Sequence, residues 1–350
     1  DIVRRAYGVT EMSFGRDYII PKPFDPRVLT WVAPAVAKAA METGVARMPI
    51  EDFDAYRMQL NIRMGRTQPI IAHMYAKAAK QPQRIVLPEG DQYRVIKAAQ
   101  LAVDEGIAKP ILLGVEEEIR AVAEEHGVDL EGIEIINPAT SPRTEEYVRE
   151  YYRLRQRKGV TMFGARKTIP KIRNYFGAMM VHMGDADGLI SGYTAHYPDT
   201  IRPALEIIGR DSRFSKVSGL YMLSNKKQEP YFLADTTVNI DPTAEEMADI
   251  TLQAAELAEK FDIVPRVALL SYSNFGSHLG PSPNKVRHAL EIIRQRRPGL
   301  MVDGEMQADT AVVPDIIAGT FPFSELKGGA NVLIFPDLNS GNIAYKLLSR

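Results

Sequence analysis

Four times along this chain an apolar run of three to five residues gives way to a short loop of small and polar residues, then to an amphipathic helix. This grammar constrains the fold more than any other feature. Residues 84–87 lead through Pro88-Glu89-Gly90-Asp91 into a helix that ends near Gly106. Residues 188–190 lead through Ser191-Gly192-Tyr193-Thr194 into a helix over 201–208, and 267–270 lead through 271–277 into 285–294. Residues 331–335 lead through 336–342 into 343–348. Continuous apolar strands alternating with helices predict an α/β fold whose strands run mostly parallel and are buried on both faces. Residues 217–223 and 231–238, joined by a polar turn, read instead as an antiparallel hairpin. Asp241 and Pro242 then open a helix in which Met247, Ile250, Ala254, Leu257 and Phe261 keep 3.6-residue spacing.

The pattern breaks twice. Gly209-Arg210-Asp211-Ser212 interrupts it, which places a boundary between two lobes at 61–210 and 211–350. Residues 1–60 form a separate helical tail and linker. There Ile19-Ile20-Pro21-Lys22-Pro23-Phe24-Asp25-Pro26 is extended, because its prolines block helix and weaken any ladder. A helix follows with Val28, Trp31, Val32, Val36, Ala39 and Ala40 on one stripe, Pro34 as a kink or restart, and Gly44 past its end. Residues 47–66 read as a connector carrying a short helix. The expected architecture is thus two-lobed, with mostly parallel sheets and flanking helices behind a helical tail.

Composition narrows the function. Forty-three basic and 44 acidic residues give a net charge of −1, which argues against nucleic-acid or membrane-surface partners. The chain has no cysteine, so disulfides, thiolate catalysis and cysteine-ligated metals are excluded. No apolar run reaches the length of a membrane span. Together these predict a soluble, cytoplasmic protein, and the opening Asp1-Ile2-Val3 predicts a piece of a longer one.

The four loops are the first candidates for chemistry. In open α/β sheets such loops lie at the carboxyl ends of the strands, where ligands bind, and free N–H groups at helix starts favour anions. Ser271, Ser273, Asn274, Gly276 and Ser277 form the richest loop, small enough for a phosphate to reach the backbone; a plain turn is the better reading of any single loop, and the four together favour a ligand cleft. Residues 151–173 carry eight basic residues, Arg153, Arg155, Arg157, Lys158, Arg166, Lys167, Lys171 and Arg173, and no acid. That composition fits an anion patch, and equally a solvated helix face or a subunit contact. His278, in the richest loop, is a ligand-contact candidate. Gly184-Asp185-Ala186-Asp187-Gly188 lacks the later ligands of a calcium loop and reads as a turn. Asp303 and Glu305 read as surface carboxylates after a turn. No G-x-G-x-x-G, P-loop, H-E-x-x-H or G-x-S-x-G motif is present, and no metal site is expected.

Several of these stretches resemble phosphate acetyltransferases: 184–192, Ile201-Arg202-Pro203-Ala204-Leu205, 267–277, Asp303-Gly304-Glu305-Met306-Gln307 and 331–342. The likeness runs from about residue 82 to the end. Residues 19–27 and 33–40 resemble the tail of a bacterial malic enzyme domain. Both together resemble a hybrid NADP-dependent malic enzyme that carries a phosphotransacetylase-like domain.

The resemblance implies acetyl-CoA bound between two lobes, with Arg155 and Arg202 engaging CoA. Ser191, Gly192, Ser271, Ser273, Asn274, Gly276, Ser277 and Asn339 would line the crevice, and Arg157, Lys158, Arg166 and Lys167 would offer an anion patch. It implies a regulatory role toward a tethered malic enzyme domain, where NADP and a divalent metal would reside, and a homo-oligomer. Phe275-Gly276 stands where the transacetylases have a lysine–glycine pair. Their catalytic Ser-Arg-Gly lies beyond Arg350, and Ser349-Arg350 is not that motif. The expectation is therefore a ligand-sensing domain without catalysis of its own. An active phosphate acetyltransferase and a structural oligomerisation module are the alternatives.

Overall fold

The computed structural model describes Gly15, Ile19 and residues 28–63, 69–225 and 229–350. The chain divides into two units, Asp1–Tyr75 and Ala76–Arg350. In the first, Val28–Val32 winds as a π-turn and the helix Ala33–Glu42 begins after it, with Pro34 buried in its first turn. Gly44, at φ +73°, follows the C-cap Thr43. The helix Phe53–Arg63 comes next. The stripe expected here is not a buried face, since Trp31 is 71% and Val36 62% exposed. A π-turn advances by i→i+5 bonding, so the 3.6-residue phase does not carry across Pro34. The proline-rich stretch at 20–26 lies outside the described residues.

The second unit is α/β and carries two sheets. Strands β1 (Gln83–Leu87), β2 (Ala108–Leu113), β3 (Glu134–Ile136) and β4 (Gly188–Leu189) form the first, in the order β3-β2-β1-β4, all parallel. Strands β5 (Leu220–Ser224), β6 (Pro230–Ala234), β7 (Arg266–Leu270), β8 (Met301–Met306) and β9 (Val332–Ile334) form the second, ordered β5-β6-β9-β7-β8. Only β5 is antiparallel, and it forms the expected hairpin with β6 at the sheet edge.

Alternation along the strands sorts side chains to opposite faces. In β2, Leu112 joins Ile96, Ala99 and Ile119 of the helices Tyr93–Asp104 and Glu116–Glu125. Its neighbours Ile111 and Leu113 join Tyr147, Phe176 and Met179 of Thr144–Arg155 and Arg173–His182. Helix and sheet approach closely there: a Cβ on Gly177 would lie 2.6 Å from Leu189 Cδ1. In the second sheet Val267, Leu269, Val332 and Ile334 face the helices Ala244–Lys260 and Pro281–Arg296. Ala268, Leu270 and Leu333 face Ala311, Ile317 and Tyr345 on the shorter helices Ala308–Val312, Pro314–Thr320 and Leu338–Leu348.

Several boundaries move, and the helices expected over 201–208 and 285–294 begin four residues earlier, as Tyr197–Ile207 and Pro281–Arg296. The helix after the hairpin is capped by Thr243, not Asp241: Thr243 Oγ1 accepts from Glu246 N while Thr243 N donates to the Glu246 carboxylate. That reciprocal pairing satisfies two end donors at once. The last helix starts at Leu338, capped by Asp337, so Asn339 through Asn342 are helical rather than loop. Among the described residues no helix is long and apolar enough to cross a membrane.

Candidate functional site

The helix directions locate the site. The helix after β1 packs on one face of the first sheet, whereas Tyr197–Ile207, after β4, places Ile207 on the other. Since β1 and β4 are neighbours, the chain leaves them in opposite directions. The same holds for β7 and β9, whose following helices lie on opposite faces of the second sheet. These are topological switch points, where a crevice opens beyond the strand ends. The four loops singled out in the sequence are the loops that flank them.

In the first sheet the two loops are joined by one carboxylate. Glu89 Oε2 accepts from Gly192 N at 3.0 Å and Tyr193 N at 2.9 Å. Glu89 Oε1 accepts from Thr194 N, from Thr194 Oγ1 at 2.8 Å and from Ala195 N at 2.9 Å. Successive N–H groups converging on one anion form a nest. Burial pushes the Glu89 carboxyl upward, but these hydrogen bonds outweigh it and hold its pKa at about 2. Ser191 Oγ donates to Asn174 Oδ1 at 2.7 Å, pinning the start of the same loop. Arg94 lies 6.0 Å from the Tyr193 ring centre.

A stability consequence follows from the depressed Glu89 pKa. Its folded-state value lies below the ordinary 4.5, so its contribution is fully present above that pH and is lost as pH falls toward 2. The shift bounds the contribution near 3 kcal/mol, and partial exposure lowers it to roughly 2 kcal/mol. Urea unfolding between pH 6 and pH 2.5 should show a steeper acid loss in the native protein than in Glu89→Gln. Parallel curves would contradict it.

Half of the eight basic residues in this stretch pair with acids outside it. Arg153 pairs with Glu150 at 2.6 Å, Arg166 with Glu145 at 3.0 Å, and Arg173 with Asp91 of the first loop at 2.9 Å. Lys167 sits 4.4 Å from the Phe163 ring centre. Arg157 and Lys158 form an exposed 3-10 turn with no acidic partner among the described residues. Arg155 reaches Glu206 Oε1 at 3.6 Å, and Tyr151 and Tyr175 donate to Glu206 Oε2 at 3.1 and 3.0 Å. Burial first, then the Glu206 carboxylate, raises the Tyr175 pKa. Arg202 precedes Glu206 by one helical turn; it is exposed and has no hydrogen-bond or ion-pair partner among the described residues. The fold thus brings Arg155 and Arg202 to one carboxylate–tyrosine cluster and leaves Arg157, Lys158, Arg166 and Lys167 outside it.

In the second sheet the loop after β7 is organised by a residue read in the sequence as a surface acid. Glu305 is fully buried and Asp303 is 6% exposed, because both lie in β8 rather than after a turn. Glu305 Oε1 accepts from Ser273 Oγ at 2.8 Å, Gly276 N at 2.9 Å and Arg287 Nη1 at 3.0 Å. Asp303 is held by Ser324 Oγ at 2.7 Å and Glu325 N at 2.9 Å. Arg294 also reaches Asp303 Oδ1 at 3.3 Å, whereas Glu305 Oε2 is buried without a hydrogen-bond partner, so the donors on Oε1 carry the compensation of that charge.

Six consecutive N–H groups, 273–278, are consumed within the protein. Ser273 N donates to Ser271 Oγ, Asn274 N to Ser277 Oγ, and Phe275 N to the Glu305 carbonyl. Gly276 N goes to Glu305 Oε1, Ser277 N to the Asn274 carbonyl, and His278 N to Ser273 Oγ. The loop therefore faces outward with side chains. Asn274 is locked to Gln307, His278 is exposed beside Tyr272, and Phe275 packs on Phe321 and Phe323. Asn339 is exposed in the first turn of the last helix. Asp235, buried beyond β6, accepts from Gly219, Thr237, Val238 and Asn239. Lys285 bridges Asp241 and the Pro336 carbonyl, joining the loops after β6 and β9.

The sequence does not single out Glu89 or Asp235, and Glu305, although inside the family-like stretch 303–307, reads there as a surface acid. What could have marked them is position: an acid at a strand's carboxyl end, beside a loop rich in backbone donors.

Residues 69–350 match the family described as phosphate acetyl/butaryl transferase. The chain belongs to that family. Among solved transferase structures it is similar to a phosphotransacetylase from Streptococcus pyogenes, with a TM-score of 0.76 and 40% identity, covering 80% of this chain and 85% of that one. A Synechocystis phosphate acetyltransferase is 43% identical over 82% of this chain and 41% of its own length. The NADP-dependent malic enzyme of Escherichia coli K12 is 44% identical over 99% of this chain, so the likeness includes residues before the transferase-family domain. The chain spans 46% of that enzyme's length, and it corresponds to the transferase-like part of a hybrid malic enzyme.

Proposed function

We propose that this transferase-family domain binds acetyl-CoA and regulates a malic enzyme that decarboxylates malate oxidatively with NADP. The observation that carries the reading is the convergence of Arg155 and Arg202 on the Glu206 cluster beside the first switch point. A partner-free guanidinium there suits the phosphates of a CoA thioester. Likeness to malic enzymes across nearly the whole chain supports the regulatory role. The loop 271–280 contains neither lysine nor arginine, and Phe275 is packed on aromatic rings, which supports sensing over acyl transfer.

Arg155→Ala or Arg202→Ala should weaken acetyl-CoA binding by roughly 10- to 150-fold, the cost of one charged hydrogen bond. Calorimetric titration of the chain checks this, and native-like affinity in both variants rejects it. Acyl transfer between acetyl phosphate and CoA is the second reading, favoured by the 43%-identical phosphate acetyltransferase. Release of acetyl-CoA from acetyl phosphate and CoA would establish it.

A further inference from the structure

We propose that Glu89 is a positioning residue for the acetyl-CoA site, presetting the segment that leads into the helix bearing Arg202; this rests on the functional reading above. Gly192 through Ala195 are the middle of the seven-residue connection, 190–196, between β4 and that helix. A connection containing glycine, with Gly192 at φ +104°, would sample many conformations if left alone. Glu89 removes that freedom from across the switch point. Its two oxygens divide four successive N–H groups and the Thr194 hydroxyl between them, so every backbone donor of the segment points at one group on the neighbouring loop. Ser191, fixed to the buried Asn174, anchors the segment's other end, and Asn174 Nδ2 donates to the Asp199 carbonyl in the helix's first turn at 3.2 Å.

The consequence is preorganisation. The direction in which Arg202 is presented is set before a ligand arrives, and the ordering cost is met in folding instead of in binding. A glutamine at 89 keeps the shape but turns an NH2 group toward backbone donors, so at least two of the five hydrogen bonds are replaced by donor–donor opposition. Glu89 itself presents no donor to a phosphate; its effect on binding must pass through the segment it holds.

The test is a double-mutant cycle on the chain as it stands. Wild type, Glu89→Gln, Arg202→Ala and the double variant are titrated with acetyl-CoA by calorimetry, well below each variant's melting temperature. Glu89→Gln is expected to bind roughly 10-fold more weakly. In the Arg202→Ala background the same change should cost less than about 3-fold, because the residue being positioned is gone. Amide exchange at 192–195 should accelerate in Glu89→Gln while the strands of both sheets stay protected.

Native affinity in Glu89→Gln, or equal losses in both backgrounds, overturns the positioning role while leaving acetyl-CoA binding intact. Failure of the wild type to bind acetyl-CoA overturns the functional reading instead, and the positioning role with it. Thr194→Val, which removes one side-chain donor and keeps the nest, guards against a folding artefact. It should lose affinity in the same direction but less than Glu89→Gln, and a larger loss counts against the proposal.

Discussion

Glu305→Ala is expected to lower folding stability by about 3–5 kcal/mol, the range for removing one partner of a buried charge network. The carboxylate is fully buried and satisfies Ser273, Gly276 and Arg287 together. Deleting it leaves a guanidinium, a hydroxyl and an amide facing a cavity. Urea unfolding monitored by circular dichroism reads the loss. Arg287→Met should also destabilise clearly, because it leaves the fully buried Glu305 carboxylate without a cation, so a loss in both variants checks the network as well as the magnitude. Equal stability of Glu305→Ala and the native protein would contradict the arrangement described.

Gly341→Ala is expected to cost about 3 kcal/mol, at the upper end for overpacking a closed site. Gly341 is buried in the first turn of the last helix, and a Cβ there would fall well inside van der Waals contact distance of the Asp235 carbonyl oxygen. That oxygen belongs to backbone between β6 and a segment tied down by the Asp235 side chain, so it cannot retreat cheaply. Gly209→Ala offers a contrast: nothing lies within 4 Å of its Cβ, and its cost comes only from a φ of +79°. Thermal unfolding of the two should separate steric conflict from backbone preference.

Six of the nine strands were legible, as in 267–270, where burial on both faces leaves an unbroken apolar run; β2, β3 and β8 were not, β8 because the buried Asp303 and Glu305 interrupt its apolar run. The hairpin was legible from its polar turn. The helix at Thr243 was misplaced by two residues, since Asp241-Pro242 is a good start signal and the capping box Thr243–Glu246 outcompeted it. The stripe around Trp31 failed because winding, and not composition, sets phase.

At the site, the loops could be read but their chemistry could not. Composition marks Ser273 and Gly276 as able to meet a phosphate; only tertiary structure reveals that Glu305 already meets them. Likewise the run 151–173 contains no acid, yet Glu145, Glu150, Glu206 and Asp91 are supplied by segments on either side or far along the chain. Charge counted along a sequence window is not charge felt at a surface.

The carboxylates that tie down these loops also determine what a polyanion meets on arrival. In the loops held by Glu89 and Glu305 the backbone donors are already taken, so these loops offer an arriving anion little. Capture must then depend on a few guanidinium groups acting at short range, and the selectivity of the crevice becomes a matter of where those groups stand, not of how positive its surroundings are.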